Sequence, residues 1–261
     1  MATVTAAPLR IEDAAGVRTL VLNRPERRNA LSLALLRDLL TALADTAADL
    51  SVHAVVVRGE GPAFCAGHDL SEMTGCSLPT ARELFDTCST LMMAIHRLPQ
   101  PVIAQVHGVA TAAGCQLVAA CDLAVASEDA RFATPGVRIG LFCSTPMVAL
   151  SRNVAPKHAM QMLLSGDFID APTALRFGLV NELAPAAELE ALAFDFALKL
   201  ASKSPLTLAI GKEAFYKQAE LPLSGAYEYT RQVMAKNLQA QDAQEGIGAF
   251  LDKRQPIWNG R

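Results

Sequence analysis

The chain is expected to fold as an α/β core followed by a mostly helical C-terminal region. Three observations predict this. Short apolar runs alternate with segments of helical spacing, the pattern turns mostly helical from Ala155 onward, and 51% of the 261 residues are hydrophobic against 19% charged. Alternating strand and helix implies a parallel-rich sheet, and so apolar a composition supplies a core and argues against disorder. The division is placed at residues 1–195 for the core and 196–261 for the helical region.

Each element has a local reason. Leu9 to Glu12 and Val17 to Leu22 flank Asp13-Ala14-Ala15-Gly16, which predicts a hairpin. Ser32 is placed to cap a helix running to about Ala48, with Leu36, Leu39, Leu40 and Leu43 on one face. Ala54-Val55-Val56-Val57 fits a strand buried on both faces. A second long helix is expected after Pro79, with Leu84, Cys88, Leu91, Met92, Ile95 and Leu98 at helical spacing, ended by Pro99. Val102 to Val106 and Leu123 to Ala126 are two further buried strands, joined by a small-residue helix from about Ala112 to Ala120. Ser204-Pro205 opens a helix, and more helices reach Phe250.

Composition also excludes functions. A net charge of -3 without a Lys/Arg block gives no reason to expect nucleic acid. Six cysteines without Cys-x-x-Cys spacing or a His partner at zinc spacing predict reduced thiols and no metal. Leu98 to Cys121 lacks Asp, Glu, Lys and Arg and is long enough to span a bilayer, but its prolines, glycines, His107 and Gln116 break it into strand, turn and helix. No membrane association is expected. Met1 to Arg10 has no apolar leader, so a cytoplasmic location is expected.

Three segments could carry chemistry. Phe64-Cys65-Ala66-Gly67-His68-Asp69-Leu70 follows a strand, and a glycine there lets the backbone turn sharply or approach a ligand. Gly108-Val109-Ala110-Thr111-Ala112-Ala113-Gly114-Cys115-Gln116 carries small side chains into the first turn of a helix. The first N–H groups of a helix lack intrahelical partners, so a ligand oxygen could reach them. Phe132 to Pro146 is a long loop marked by glycine and proline. Each has a plain structural reading as well: a strand-to-helix turn, close alanine packing, a connector between layers.

In this order and at these distances the three segments resemble the crotonase family, also called the enoyl-CoA hydratase/isomerase family. Asn23-Arg24-Pro25-Glu26-Arg27-Arg28-Asn29-Ala30-Leu31 is similar to its first CoA-contacting loop. Ala174-Leu175-Arg176-Phe177-Gly178-Leu179-Val180 is similar to its A-x-x-x-G-L-V turn, and Phe250-Leu251-Asp252-Lys253-Arg254-Gln255-Pro256 to its C-terminal signature. The resemblance covers nearly the whole chain. It implies a crotonase-like spiral of ββα units with a helical C-terminal trimerisation layer, assembled as a homotrimer or a dimer of trimers. It implies an oxyanion hole from the backbone N–H groups of His68 and Ala113, holding the thioester carbonyl of an acyl-CoA. Coenzyme A, part of the substrate and not a covalently bound cofactor, would lie along Arg28, Ala30, Ala66, His68, Asp69, Leu70, Val109 and Ala113. Lys253 of a neighbouring subunit would serve its phosphates.

The chain departs from the family where hydratases carry two glutamates. Those places hold Gln116 and Gly136. Neither an amide nor a hydrogen atom is a general base near neutral pH, so hydration should be crippled, and restoring both glutamates should raise it unless Gly136 needs a positive φ. Ala112 and Ala113 also replace glycines, and alanine tolerates helical backbone. Some relatives place an acid where Ser144 stands, but a hydroxyl without a basic neighbour is a poor base. Arg138 reads as a clamp for a substrate carboxylate or as a surface charge. Three functions stay open: decarboxylation of a malonyl-type thioester, non-catalytic acyl-CoA binding, and an atypical hydratase or isomerase of fatty-acid metabolism.

Overall fold

The computed structural model describes residues 7–261. The first six residues of the expected leader-free stretch Met1 to Arg10 lie outside the described part. The elements run β1 (Leu9–Ala14), β2 (Val17–Leu22), α1 (Leu33–Ala48), β3 (Ala54–Gly59), α2 (Leu70–Met73), α3 (Leu78–Arg97), β4 (Val102–Val106), β5 (Val109–Thr111), α4 (Ala113–Ala120), β6 (Leu123–Ser127) and β7 (Arg131–Ala133). A 3₁₀ turn (Pro135–Ile139) leads to α5 (Pro146–Asn153), α6 (Pro156–Ser165), β8 (Ile169–Asp170), α7 (Ala171–Phe177) and β9 (Glu182–Ala184). The chain closes with α8 (Leu189–Ala201), α9 (Pro205–Gln218), α10 (Leu223–Leu238) and α11 (Gln241–Leu251).

Six strands form one sheet in the order β1-β2-β3-β4-β6-β9, parallel from β2 onward, with β1 antiparallel at its edge. The hairpin turn is tighter than expected. The strands run to Ala14 and resume at Val17, so Ala15 and Gly16 carry the turn alone, both at positive φ (50° and 78°). That is the hairpin turn whose twist matches the strands.

The middle strands are buried on both faces because each face has its own cover. Val55, Val57, Val102, Ala104 and Val106 face α1, α3 and α4, while Val17, Ala54, Val56, Ile103 and Val125 pack with Leu189, Ala193 and Ala197 of α8. The boundary placed at residues 195 and 196 lies inside α8.

A second, three-stranded sheet, β5-β7-β8, stands apart and holds the α4 end of the site. Asp122 ties α9 to the opposite, N-terminal ends of the parallel strands. Its carboxylate accepts from the Val102 N–H (2.7 Å), the Tyr216 hydroxyl (2.8 Å) and the Lys212 ammonium (2.6 Å). Beyond that anchor, Phe215, Leu223, Tyr227, Met234, Phe250 and Leu251 on α9, α10 and α11 are each at least 64% exposed. No helix among the described residues is long and apolar enough to cross a membrane.

Candidate functional site

Four backbone segments lie side by side and build the site. Residues 64–66 are zipped to 107–111 by the Phe64, Cys65 and Thr111 N–H groups, which donate to His107, Val109 and Cys65 carbonyls at 3.0, 3.1 and 3.0 Å. On the other flank Ala66 donates to the Arg28 carbonyl (3.0 Å), Leu31 to Gly67 (2.8 Å) and Asp69 to Leu31 (3.2 Å). The fourth segment joins where Ala112 donates to the Ala133 carbonyl at 2.9 Å.

This zipping leaves two donors free. Gly67 and Asp69 both turn their ladder groups toward Leu31, so His68 between them turns its N–H to the other side, where residues 110–113 run. Neither the His68 N–H nor the Ala113 N–H meets a backbone acceptor among the described residues. The two segments touch: a Cβ built on Gly67 would stand 3.3 Å from the Ala113 nitrogen, and Gly67 itself has φ 95°. Gly114 is pinned harder still, since its Cβ would overlap the Cys65 carbonyl oxygen. Ala113 begins α4 in helical conformation, as expected. Ala112 does not: it sits at φ 50°, ψ −116°, a backbone suited to glycine. The expectation that both alanines rest in helical geometry is therefore corrected for Ala112, whose strain is worth about 1–3 kcal/mol.

Asp69 is committed elsewhere. Its Oδ1 caps α2 by accepting from the Ser71 N–H (3.2 Å) and hydroxyl (2.6 Å), and Oδ2 takes Arg24 at 2.9 Å. Those hydrogen bonds, Ser71 first, outweigh burial and hold the carboxyl below its usual range. Arg24 also reaches the Ala30 carbonyl (2.6 Å), and the buried Asn29 amide donates to Glu60 and Ala63 carbonyls at 2.8 and 2.7 Å. The loop that carries Arg28 and Ala30 is thus held rigid, with Arg28 exposed in left-handed conformation. Ala66 and Val109 line the zipped ladder, half-buried, and Leu70 opens α2 with its side chain 54% exposed. Lys253 stands exposed just after α11, and no hydrogen bond or ion pair joins it to the other candidates among the described residues.

The two positions where the resemblance expects glutamates look different. Gln116 is buried in the first turn of α4, and its Oε1 has no hydrogen-bond partner. Gly136 is also buried, and its φ is not positive. The obstacle is space. A Cβ there would lie 2.5 Å from the Leu141 carbonyl oxygen and 2.9 Å from the Cys143 Sγ. The expectation that a glutamate at 136 needs only a permissive φ is corrected: the Leu141 carbonyl and the Cys143 thiol already fill its place.

Burial raises the Cys143 thiol, with the Gly136 N–H opposing, and pushes Cys115 up to about 12 with Cys143 adding to it. Both are inert thiols at neutral pH. Ser144 points the other way, exposed, its hydroxyl 3.4 Å from the Phe142 carbonyl. Arg138 is a surface charge paired with Asp167. His107 is a turn residue bonded to the Gly61 carbonyl at 2.8 Å.

Sequence reasoning missed one side chain, Thr134; the His68 side chain reads from the sequence as a candidate acid or base, weighed against a bystander role. Thr134 is buried beside Ala133 with its hydroxyl unpartnered, and the His68 ring is enclosed with both nitrogens unpartnered, edge-on to Phe85 at 5.4 Å. Burial lowers the imidazole's pKa, and the nearby Leu31 backbone opposes this without closing a hydrogen bond. Each buried unmet group costs about 1–3 kcal/mol, so such atoms gather where a ligand or water meets them. The signal for Thr134 was its place just before Pro135-Gly136.

The α/β core with its helical C-terminal region, and the strand-to-helix segments that leave the His68 and Ala113 N–H groups free side by side, define a protein of the crotonase fold. Residues 12–261 match the family model described as enoyl-CoA hydratase/isomerase, and the chain belongs to that family. It is 49% identical to the rat enoyl-CoA hydratase domain-containing protein 3, mitochondrial, over 94% of this chain and 82% of the relative. To the 2,3-dehydroadipyl-CoA hydratase of Escherichia coli K12 it is 39% identical, over 94% of this chain and 96% of that one. A solved enoyl-CoA hydratase of Mycobacterium smegmatis superposes with a TM-score of 0.94 at 49% identity, covering 97% of this chain and 99% of that one. The human enoyl coenzyme A hydratase domain-containing protein 3 superposes equally well, at 47% identity over 97% and 100%. That domain-containing protein 3 is the branch to which Gly67-His68-Asp69-Leu70, Ala110 to Leu117 and Gly140 to Pro146 together point. The cytoplasmic expectation is overturned here, because the rat, mouse and human relatives are named mitochondrial. It rested on a missing apolar leader, which speaks only of export. Mitochondrial addresses are amphipathic and Arg-rich, with no apolar stretch to find.

Proposed function

We propose that this protein binds an acyl-CoA and stabilises the thioester enolate between the N–H groups of His68 and Ala113, without the acid–base pair that hydration needs. The observation that carries this reading is the asymmetry of the site. Two backbone donors are free and adjacent, while Gln116 and Gly136 stand where glutamates would be and Asp69 is tied to Ser71 and Arg24. A preorganised donor of this kind is worth roughly 10²–10³ in rate, or about 3 kcal/mol, whatever the following step. Arg28, Ala30, Ala66, Asp69, Leu70 and Val109 would carry the coenzyme.

The 2,3-dehydroadipyl-CoA hydratase among the relatives favours a CoA thioester as ligand. The lack of a base favours a second reading, decarboxylation of a malonyl-type thioester, because the departing carboxylate leaves its electrons as the enolate and no base is needed. A binder without turnover is the remaining form of the same reading. The exposed apolar face of α9, α10 and α11 supports assembly in threes, which would bring Lys253 of one subunit to the phosphates held by the next.

Calorimetry with short-, medium- and long-chain acyl-CoA thioesters tests the binding, expected in the micromolar range. Folded protein that gives no heat with any of them overturns the reading. Turnover of malonyl-CoA separates the enzyme from the binder. Light scattering that finds a monomer at micromolar concentration sinks the trimer.

A further inference from the structure

We propose that Asp242 and Glu245 are positioning residues: by fastening residues 254–261 back along α11, they fix Lys253 at the helix end as a cation for the phosphates of an acyl-CoA. This rests on the acyl-CoA reading above and adds to it two carboxylates that act through the lysine. The chain reverses just after α11. Asp252 ends the helix and Lys253 turns left-handed at φ 57°. The Lys253 N–H donates to the Phe250 carbonyl (3.3 Å) and the Arg254 N–H to the Ala249 carbonyl (3.0 Å). That pairing is a common helix stop, in which glycine usually holds the left-handed place. Here a lysine stands there, exposed, while its neighbour Arg254 is engaged by Glu245 and Asp252. A side chain in a conformation suited to glycine persists only where its surroundings over-determine it.

Two carboxylates on one face of α11 supply that constraint. Glu245 accepts from the Arg254 guanidinium with both oxygens (2.7 and 2.9 Å) and from the Ile257 N–H at 2.8 Å. Asp242 is buried and accepts from the Asn259 N–H (2.8 Å), the Gly260 N–H (3.1 Å) and the Ser204 hydroxyl (2.6 Å). Its own N–H donates to the Arg261 carbonyl at 2.9 Å. Between these two anchors the Trp258 indole donates to the Ser202 carbonyl at 2.9 Å, and its ring lies against Gly246, where a Cβ would stand 3.1 Å away. The tail is thus tied to the end of α8, the start of α9 and the length of α11. Lys253 is the apex of its turn, next to the first residue tied.

The chemistry of the anchors is specific to the charged form. Burial would raise the Asp242 carboxyl, but the Ser204 hydroxyl and the N–H groups of the tail hold it below its usual range. Arg254 chiefly, with the Ile257 N–H, brings Glu245 down to about 2. Both carboxylates are acceptors only at neutral pH, and each of those partners is a donor. An amide in either place would turn an NH₂ group toward a donor at almost unchanged volume. Asp242→Asn and Glu245→Gln therefore loosen the tail, leaving the lysine's charge in the chain but spreading its position.

Free CoA and butyryl-CoA, titrated calorimetrically into the full chain and its variants, test this. Lys253→Ala is expected to weaken both ligands about tenfold. Glu245→Gln and Asp242→Asn should each weaken them about three- to tenfold in the wild-type background and by less than about twofold in the Lys253→Ala background. A purely structural role predicts the opposite, because any loss of melting temperature, and any affinity lost with it, is the same in both backgrounds. Should Asp242→Asn fail to fold, Glu245→Gln decides alone, since its side chain is partly exposed. An affinity loss that persists undiminished in Lys253→Ala, or no loss from either carboxylate variant, would make the two carboxylates supports of the fold only and overturn the inference. Wild-type affinity in Lys253→Ala would overturn it while the acyl-CoA reading stands. If neither ligand binds the wild type, that reading itself has failed, and the inference falls with it.

Discussion

The two halves of the proposed site are built on opposite principles. The proposed oxyanion half is backbone: four segments are locked by main-chain hydrogen bonds, and its two donors need no particular side chain. Residues 64–69 and 107–113 can therefore exchange glycine for Ala112 and Ala113 and still present both N–H groups. The acid–base half would depend on side chains, and there Gln116 and Gly136 stand where the resemblance expects glutamates. Gln116 keeps the shape of a glutamate without its charge, and Cys143 and the Leu141 carbonyl fill the room beside Gly136. On the proposed reading, a function held by main chain survives substitution, whereas one held by two carboxylates would end when they go.

The largest effect that tests this contrast is hydration itself. Wild type should hydrate crotonyl-CoA several orders of magnitude more slowly than a glutamate-bearing relative, because each proton-transfer group contributes roughly 10²–10⁴-fold. Gln116→Glu should recover part of that. Gly136→Glu should recover nothing and should cost about 1–3 kcal/mol by overpacking against Leu141 and Cys143. Rates and melting temperatures of both variants decide. Wild-type turnover at the pace of its glutamate-bearing relatives would mean an unidentified base and break the contrast.

The strain at Ala112 gives the next effect. At φ 50°, ψ −116° a Cβ is unfavourable and glycine is not, so Ala112→Gly should stabilise the fold by about 1–2 kcal/mol. In a chain of this size that raises the melting temperature by roughly 2–4 °C for each kcal/mol. A fall in melting temperature would show that the methyl group contributes packing that outweighs the strain.

How much of this was legible in the sequence follows the same division. The strands at Val102 and Leu123 and the helix capped by Ser32 were visible because periodicity and caps are local. The sheet of β5, β7 and β8 was not, since strands of two or three residues carry no period. The free N–H at Ala113 could be argued from small residues at a helix start, and the missing glutamates from the family pattern. The wall that closes Gly136 could not: it is made by a carbonyl and a thiol five and seven positions further on, brought back by the turn at Gly140. Nor could the strain at Ala112, which depends on how tightly residues 65–67 press on the start of α4.

A smaller effect should appear with pH. The folded-state pKa of His68 is lowered, so the folded protein binds fewer protons than the unfolded chain between the two values. Stability from this group is complete above the unfolded value of about 6.5 and is lost as pH falls toward the folded value. Melting temperatures from pH 7.5 down to 5 should therefore decline in the wild type and decline less in His68→Phe. The same slope in both would mean that the ring is solvated and the enclosure around it incomplete.

The smallest expected effect is also the sharpest control on the acid–base half. Ser144 and Cys143 are neighbours in sequence, and Ser144 stands where the family resemblance places an acid in some members. Their surroundings differ completely. The Ser144 hydroxyl is exposed and sits 3.4 Å from its own loop's Phe142 carbonyl, and its N–H is spent on the same oxygen at 2.7 Å. Nothing in those contacts shapes the cleft, so Ser144→Ala should leave stability within about 0.5 kcal/mol and acyl-CoA affinity unchanged. Cys143 is 7% exposed and stands against Gly136. Cys143→Ala removes the sulfur that shares the second glutamate's place and should cost about 1–2 kcal/mol through the void it leaves. Melting temperature and calorimetric affinity, measured on the two variants side by side, separate them. A marked loss of turnover in Ser144→Ala with folding intact would return the hydroxyl to the chemistry and make the acid–base half an altered machine instead of a dismantled one.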